Sequence, residues 1–329
     1  MGRWILILAI PMTVLVVQQF LASPTDLINT AAGGTGLQLG TSGGKVRASG
    51  TFTFVVGVVC FYAIVAGFVI NALMRRRTYP LWLTLPSAVA VIVAVATSGS
   101  RSAVAGVLIV VAGVGFVLVA NPRLIGRAIA ALVVLLLLMS VAMQFSVVQS
   151  GTDVMQKRFE DAGGRAGIVP RVFGGFDVPV RASELAPFFG YGLGLGTNAG
   201  AALAAGGAIP FLLGESEWQR VIMESGPIMG NLYILWRMLL VVHLFVVSLR
   251  ALRRENILPM MLFGGAAPVI YSGQFGQPTL LGFAVLGAGL VLAAANDDAH
   301  SEPPQAAADQ LPRIRSRSRY AEILHGRRN

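Results

Sequence analysis

The chain has 329 residues, of which 55% are hydrophobic and only 12% charged, with a mean hydropathy of +0.72. A soluble domain carries roughly 25% charged residues, so half that share, with long uncharged apolar runs, excludes a soluble globular protein and marks an integral membrane protein. The formal net charge of +10 does not indicate nucleic-acid binding, because much of it sits at the ends of apolar segments, where membrane topology requires it. The one cysteine, Cys60, excludes an internal disulfide and a cysteine-rich zinc site. It lies within an apolar run and reads as a small buried hydrophobe.

Apolar stretches long enough to span fall at about 4–21, 52–73, 81–98, 103–120, 128–148, 228–249, 257–273 and 279–295. A crossing needs roughly 20 residues at about 1.5 Å rise each, so the shorter stretches recruit flanking residues. Asp and Glu are absent from all eight cores, and Arg237 is the one strongly charged residue inside them. The runs are continuous and not alternating, which excludes a β-barrel. The predicted fold class is an all-α integral membrane protein of about eight transmembrane helices with one large extracytoplasmic loop. Residues 1–296 form the polytopic domain, and 297–329 a disordered, basic cytoplasmic tail able to touch anionic lipid.

Basic residues set the orientation. Arg3, Arg75, Arg76, Arg77, Arg123, Arg127, Arg250, Arg253, Arg254 and the tail arginines fall on one face of an eight-span arrangement. The positive-inside rule makes that face cytoplasmic, with both termini inside. The first span reads as an anchor, since "FLASP" is a poor cleavage site for a signal peptide. Two outer segments are long, about 22–51, rich in Gly, Ser and Thr, and about 149–217. The second holds Lys157, Arg158, Arg165, Arg171 and Arg181, opposed by Asp153, Glu160, Asp161, Asp177 and Glu184.

Several motifs carry chemistry. "TSGSRSAVAG" (97–106) puts Arg101 between two spans at the outer face, against the inside bias. It is either an interfacial, solvated arginine or a cation facing a diphosphate or carboxylate. "GYGLGLGTNAGAALAAGG" (190–207) includes Gly190, Gly192, Gly194 and Gly196. It lacks the strand, helix and acidic residue of a dinucleotide fold. A flexible loop and a close-approach site for a lipid-linked anion remain open. In "GESEWQRVIMESGPIMG" (214–230), Glu217, Arg220 and Glu224 share one helix face at 100° per residue. Pro227, with Gly226 and Gly230, should kink that helix as it runs into the bilayer. A carboxylate held near the interface is a candidate general base. Arg237 faces the bundle interior or a wet cavity, as a structural partner or as a substrate contact. His243 reads as a packing residue without nearby metal ligands.

Taken in order, these segments resemble the O-antigen ligase and polymerase superfamily of bacterial envelope glycan enzymes. The resemblance covers about 46–250. It rests on "SGSRSA", on Arg171 leading to the P-x-x-G-x-G turn in "APFFGYGLGLGTNAG", and on the polar motif "GESEWQRVIMESGPIMG"; "VRASGTFTF" (46–54) is also similar. It implies a metal-independent glycosyltransferase of the bacterial inner membrane, without a cofactor. Such an enzyme moves a glycan from a polyprenyl diphosphate donor to an acceptor glycan or lipid at the outer leaflet, among membrane lipids and polysaccharide assembly proteins. Residue by residue, Arg101 and Arg171 best match the arginines that hold the diphosphate; Arg181 and Arg220 match no clear family position and stand as candidate helpers. Ligases of the family carry a histidine in the last motif. Glu215 stands near that place, followed by Ser216, which favours a polymerase-like or exopolysaccharide branch. Glu215, Arg171 and Arg101 are thus the candidate catalytic residues, and Arg181, Glu217, Arg220, Glu224, Gly192 and Gly194 the candidate substrate-binding ones. Family members commonly have about ten to twelve spans, so the resemblance implies a shortened form whose missing spans would precede residue 1. The rival readings are a transporter or flippase of an anionic or polyprenyl-linked lipid, and a non-catalytic subunit of a polysaccharide assembly.

Overall fold

A computed structural model describes residues 1–30, 41–42, 44–75, 78–160, 177–197, 200, 203 and 216–297. The chain divides into two units, Met1–Ala295 and Asn296–Asn329, and the first carries everything below. Arg171 and Glu215 lie outside the described residues, as does the tail beyond Asp297.

Among the described residues the chain forms ten α-helices. They are α1 (Gly2–Leu21), α2 (Val55–Met74), α3 (Leu81–Thr97), α4 (Arg101–Ala120), α5 (Ile125–Ala142), α6 (Ser146–Glu160), α7 (Val178–Leu185), α8 (Glu217–Leu252), α9 (Leu258–Ser272) and α10 (Pro278–Asp297). Thr41–Ser42 and Lys45–Val46 pair as a two-residue antiparallel ladder. Helices α1, α2, α4, α5, α8 and α10 are long and apolar enough to cross a membrane. The chain is therefore a multi-pass α-helical membrane protein. Helices α3 and α9 are apolar but shorter, at 17 and 15 residues. These eight helices overlie the eight apolar stretches, because an uninterrupted apolar run leaves the backbone no partner in lipid except itself.

Helices α2 and α9 sit at the centre. Small residues let their backbones approach. A Cβ on Gly67 of α2 would stand 3.0 Å from the Met261 carbonyl of α9, and one on Gly264 of α9 would stand 2.8 Å from Val110 Cα of α4. With no hydrophobic drive between helices in lipid, such close packing is what holds spans together. Helix α5 lies at the periphery, with only Ala131 and Ala142 buried.

Polar ties define the two ends. At one end, Arg75 donates to the Glu255 carbonyl, Asn121 to the Leu252 carbonyl at 3.1 Å, and Asn256 to the Ala294 carbonyl at 2.8 Å. At the other, Gln19 of α1 accepts from the Ser49 and Gly50 N–H groups at 3.0 and 2.8 Å and donates to the Ile28 carbonyl at 3.2 Å. This pins the approach to α2, so Ala48, Ser49 and Gly50 are buried where the composition suggested only a linker.

The largest departure from the sequence expectation is in α8. Its 36 residues are not a rod running into a span. Gly226 has φ 83° and ψ 166°, outside helical geometry, and Pro227 follows it. There the chain turns back on itself. A Cβ on Gly230 would meet Ile222 Cα at 2.6 Å, although eight residues along a straight helix span about 12 Å. Residues 217–225 thus form a short arm lying beside the start of the long span.

Candidate functional site

The arm of α8 carries Glu217, Arg220 and Glu224, spaced three and four residues apart on one face. Arg220 bridges both carboxylates. Its Nε and Nη2 donate to Glu217 at 2.9 and 2.8 Å. Its Nη1 donates to both oxygens of Glu224, at 2.9 and 2.8 Å. Because the arm folds back, Arg237 of the long span comes within 3.4 Å of Glu217 Oε1. Glu217, Glu224 and Arg237 are 2%, 5% and 1% exposed. Two guanidinium and two carboxyl groups cancel in formal charge, as burial in a membrane protein demands.

Arg237 is fully engaged by the protein. Nε donates to the Ile270 carbonyl at 2.7 Å, and Nη2 to those of Val269 and Gly273 at 3.2 and 2.8 Å. These are carbonyls at and just past the C-terminal end of α9, where helical donors run out; the Val269 carbonyl also accepts from the Gly273 N–H at 2.9 Å. The guanidinium also stacks on the Phe275 ring, 3.8 Å from its centroid. Of the two roles open to Arg237 in the sequence, structural pairing is the observed one. The Phe275 N–H completes Glu217 at 3.0 Å, and the Trp218 indole N–H bonds the Tyr271 carbonyl at 3.2 Å.

The glycine stretch closes over the other side of the arm. The break at Gly226 leaves the last carbonyls of the arm without donors. Tyr191 N–H reaches the Met223 carbonyl at 2.8 Å and Gly192 N–H the Glu224 carbonyl at 3.0 Å. Gly194 and Gly196 N–H then donate to the Glu224 carboxylate itself, at 3.2 and 2.8 Å. A Cβ on Gly196 would stand 2.6 Å from Glu224 Oε1, and one on Gly190 2.3 Å from the Glu224 carbonyl. Backbone does approach an anion here, as glycine density suggests, and in this structure the anion is a side chain of the same protein.

Arg101 and Arg181 make none of these contacts. Arg181 is on α7, 77% exposed at its side chain, and pairs with Asp177 at 2.7 Å. Helix α7 is tied to both limbs of α8: Ala182 packs with Trp218 and Ile222 of the arm and Ile234 of the long span, and Asn231 Nδ2 of that span bonds Ser183 Oγ at 2.9 Å. Arg101 is the exposed first residue of α4. Close by along the chain path is Arg158 of α6, which no sequence motif singles out. It is 5% exposed, donates to the Gly99 carbonyl, and reaches the Lys45 carbonyl at 3.1 Å. Burial, and then the nearby Arg47 charge, push its pKa below the ordinary guanidinium value. In the sequence it stands only as one of the five basic residues of the segment 149–217. Phe275 gave no signal, since neither its backbone N–H to Glu217 nor its ring under Arg237 belongs to a motif. Among the described residues, no group of three or more His, Cys, Asp or Glu side chains is gathered to hold a metal ion.

No known protein family, no characterised protein and no solved structure matches this chain.

Proposed function

We propose that this protein is an outer-leaflet glycosyltransferase of the polysaccharide polymerase or ligase type. It moves a glycan from a polyprenyl diphosphate donor to an acceptor sugar hydroxyl. The acceptor oxygen attacks the anomeric carbon and forms the new glycosidic bond. The bond from that carbon to the phosphoryl oxygen breaks, and its electron pair leaves with the diphosphate. The hydroxyl proton passes to a carboxylate, with Glu215 the first candidate. Arg101 and Arg171 hold the diphosphate, whose growing charge fixed guanidinium groups stabilise without a metal.

The observation that carries this reading is the cluster of oxyanion donors and carboxylates at one end of the bundle, where Gly194, Gly196 and Arg220 converge on Glu224. Pairing donors for a leaving oxyanion with glutamates near a membrane surface is what metal-free transfer from a lipid diphosphate requires.

The proposal includes a topology. All eight apolar helices cross the bacterial inner membrane, both termini are cytoplasmic, and the segments 22–51 and 149–217 face outward. Leu252 then lies at the cytoplasmic side, and Arg237, fifteen residues up the same helix, stands about 22 Å above it. This puts the cluster near the outer edge of a hydrocarbon core about 30 Å thick.

The broken helix at Gly226 favours one second reading, a transporter of an anionic lipid, because transporters build midplane sites from interrupted helices. One experiment separates the two. Wild-type and Arg171→Ala proteins in detergent are given a polyprenyl-diphosphate-linked oligosaccharide, and lipid diphosphate release is followed with glycan length. Release with longer glycans in the wild type alone supports the transferase. No release by well-folded protein with several donors, together with lipid movement across vesicles, replaces it with the transporter.

A further inference from the structure

We infer that Glu224 is a resident stand-in for a substrate phosphate, occupying an oxyanion nest that a lipid phosphate or diphosphate takes over by exchange. The inference rests on the transferase reading for the identity of the ligand, and on geometry for the site. Three donors from two segments meet on one oxyanion: Gly194 N–H at 3.2 Å, Gly196 N–H at 2.8 Å and Arg220 Nη1 at 2.9 and 2.8 Å. Two backbone N–H groups with one guanidinium edge is a donor set suited to phosphate, which offers more oxygens and more charge than a carboxylate.

Two features make exchange feasible. Arg220 uses its two edges separately. Nε and Nη2 hold Glu217 at 2.9 and 2.8 Å, so Arg220 stays anchored when its Nη1 edge changes partner. The turn is likewise held without the Glu224 carboxylate, because Tyr191 and Gly192 bond main-chain carbonyls of the arm. Rotation of the Glu224 side chain alone therefore empties the nest. The guanidinium is also not sealed in, since the Arg220 side chain keeps 15% of its surface exposed. The glycine at 196 reads as a requirement of the nest, because a Cβ there would stand 2.6 Å from both Glu224 Oε1 and Arg220 Cγ. The unliganded protein is thus self-blocked, and binding releases a carboxylate beside the bound phosphate.

The test is pyrophosphate binding to the full chain in lipid nanodiscs, by calorimetry. Glu224→Ala should tighten binding at least tenfold, and adding Gly196→Ala should abolish the gain by filling the vacated space. A folded Glu224→Ala protein with wild-type affinity overturns the proposal. Because that substitution removes one partner of Arg220, a second measurement uses the wild type. Pyrophosphate should raise dicyclohexylcarbodiimide modification of Glu224 several-fold, and unchanged modification at saturating pyrophosphate, or no binding at all, overturns the proposal. Neither measurement reads transfer. Tightened binding without any glycan transfer supports the nest and removes the transferase reading, whereas transfer unaffected by Gly196→Ala removes the nest and leaves that reading standing.

Discussion

Glu217 Oε1 and Arg237 Nη1 stand 3.4 Å apart although twenty residues separate them along α8. Arg237 joins three things at once: the arm through Glu217, the open end of α9 through three carbonyls, and the α9–α10 connection through Phe275. Arg237→Met would take the guanidinium donor from the Ile270 and Gly273 carbonyls, leave Val269 with the Gly273 N–H alone, and leave Glu217 with one cation fewer. Breaking a buried pair by removing one partner costs about 3–5 kcal/mol. Arg237→Lys keeps the charge but replaces a planar fork with a point donor, so its loss should be smaller yet clear. Thermal unfolding in detergent should rank the proteins wild type, Lys, then Met. Equal stability of Arg237→Met and wild type would reduce this arginine to a spectator.

Gly226 should be the least replaceable glycine of the arm. At φ 83° and ψ 166° an L side chain is strained, and a Cβ would also meet the Phe188 carbonyl at 2.2 Å. Strain in such regions costs about 1–3 kcal/mol before any clash is counted. Gly226→Ala should therefore open the hairpin. Spin labels at Gln219 and Leu235 read this directly, since sixteen residues of straight helix separate them by about 24 Å. The wild type should give a much shorter distance and Gly226→Ala a longer, broader distribution. Indistinguishable distributions would mean that the turn is held elsewhere.

How much of this was legible in the sequence depended on the type of contact. The apolar helices were readable because lipid forces one solution on an uninterrupted apolar run. The Arg220 bridge was readable because residues three and four apart face each other on any helix. Reversal at Gly226 was not. A Gly-Pro pair announces a break, but the angle is set by the Phe188 carbonyl and the Gly190 backbone packed against it, some forty residues upstream. The partners of Arg237 and of Arg158 were hidden for a related reason. The carbonyls that both arginines bind are main-chain groups, which every residue carries and no sequence distinguishes. The glycine stretch left a flexible loop and a site for a lipid-linked anion open, and nothing in it announced that Glu224, nearly thirty positions on, is what its N–H groups bind.

Arg158 should act as a clasp on the surface that presents Arg101. It binds the Gly99 carbonyl, two residues before Arg101, and the Lys45 carbonyl of the small ladder. Hydrogen bonds from a charged donor contribute about 1.5–3 kcal/mol. Arg158→Ala should lower stability by about that amount and speed amide exchange in both 44–50 and 98–103. Faster exchange in only one of the two segments would show that the clasp closes on one side alone. Arg158→Lys should restore part of the protection, because an ammonium can satisfy one carbonyl but does not span both.

The proposed topology turns on the two short helices. At about 1.5 Å per residue, α3 and α9 reach about 26 and 22 Å, less than the roughly 30 Å of a hydrocarbon core. Each crosses only with help from flanking turns or local thinning of the bilayer. If both cross, residue 101 after α3 and residue 272 at the end of α9 share the outer side with residue 25, while residues 123 and 254 lie inside. Single cysteines in place of Thr25, Arg101, Arg123, Arg254 and Ser272, in a Cys60→Ala background, decide this with a membrane-impermeant maleimide on intact cells. Positions 25, 101 and 272 should react before permeabilisation, and 123 and 254 only after it. Protection at 101 or 272 would turn the corresponding helix into a re-entrant one. It would also move Arg101, or the Phe275 side of the Glu217 cluster, away from the leaflet where a lipid-linked donor is proposed to dock.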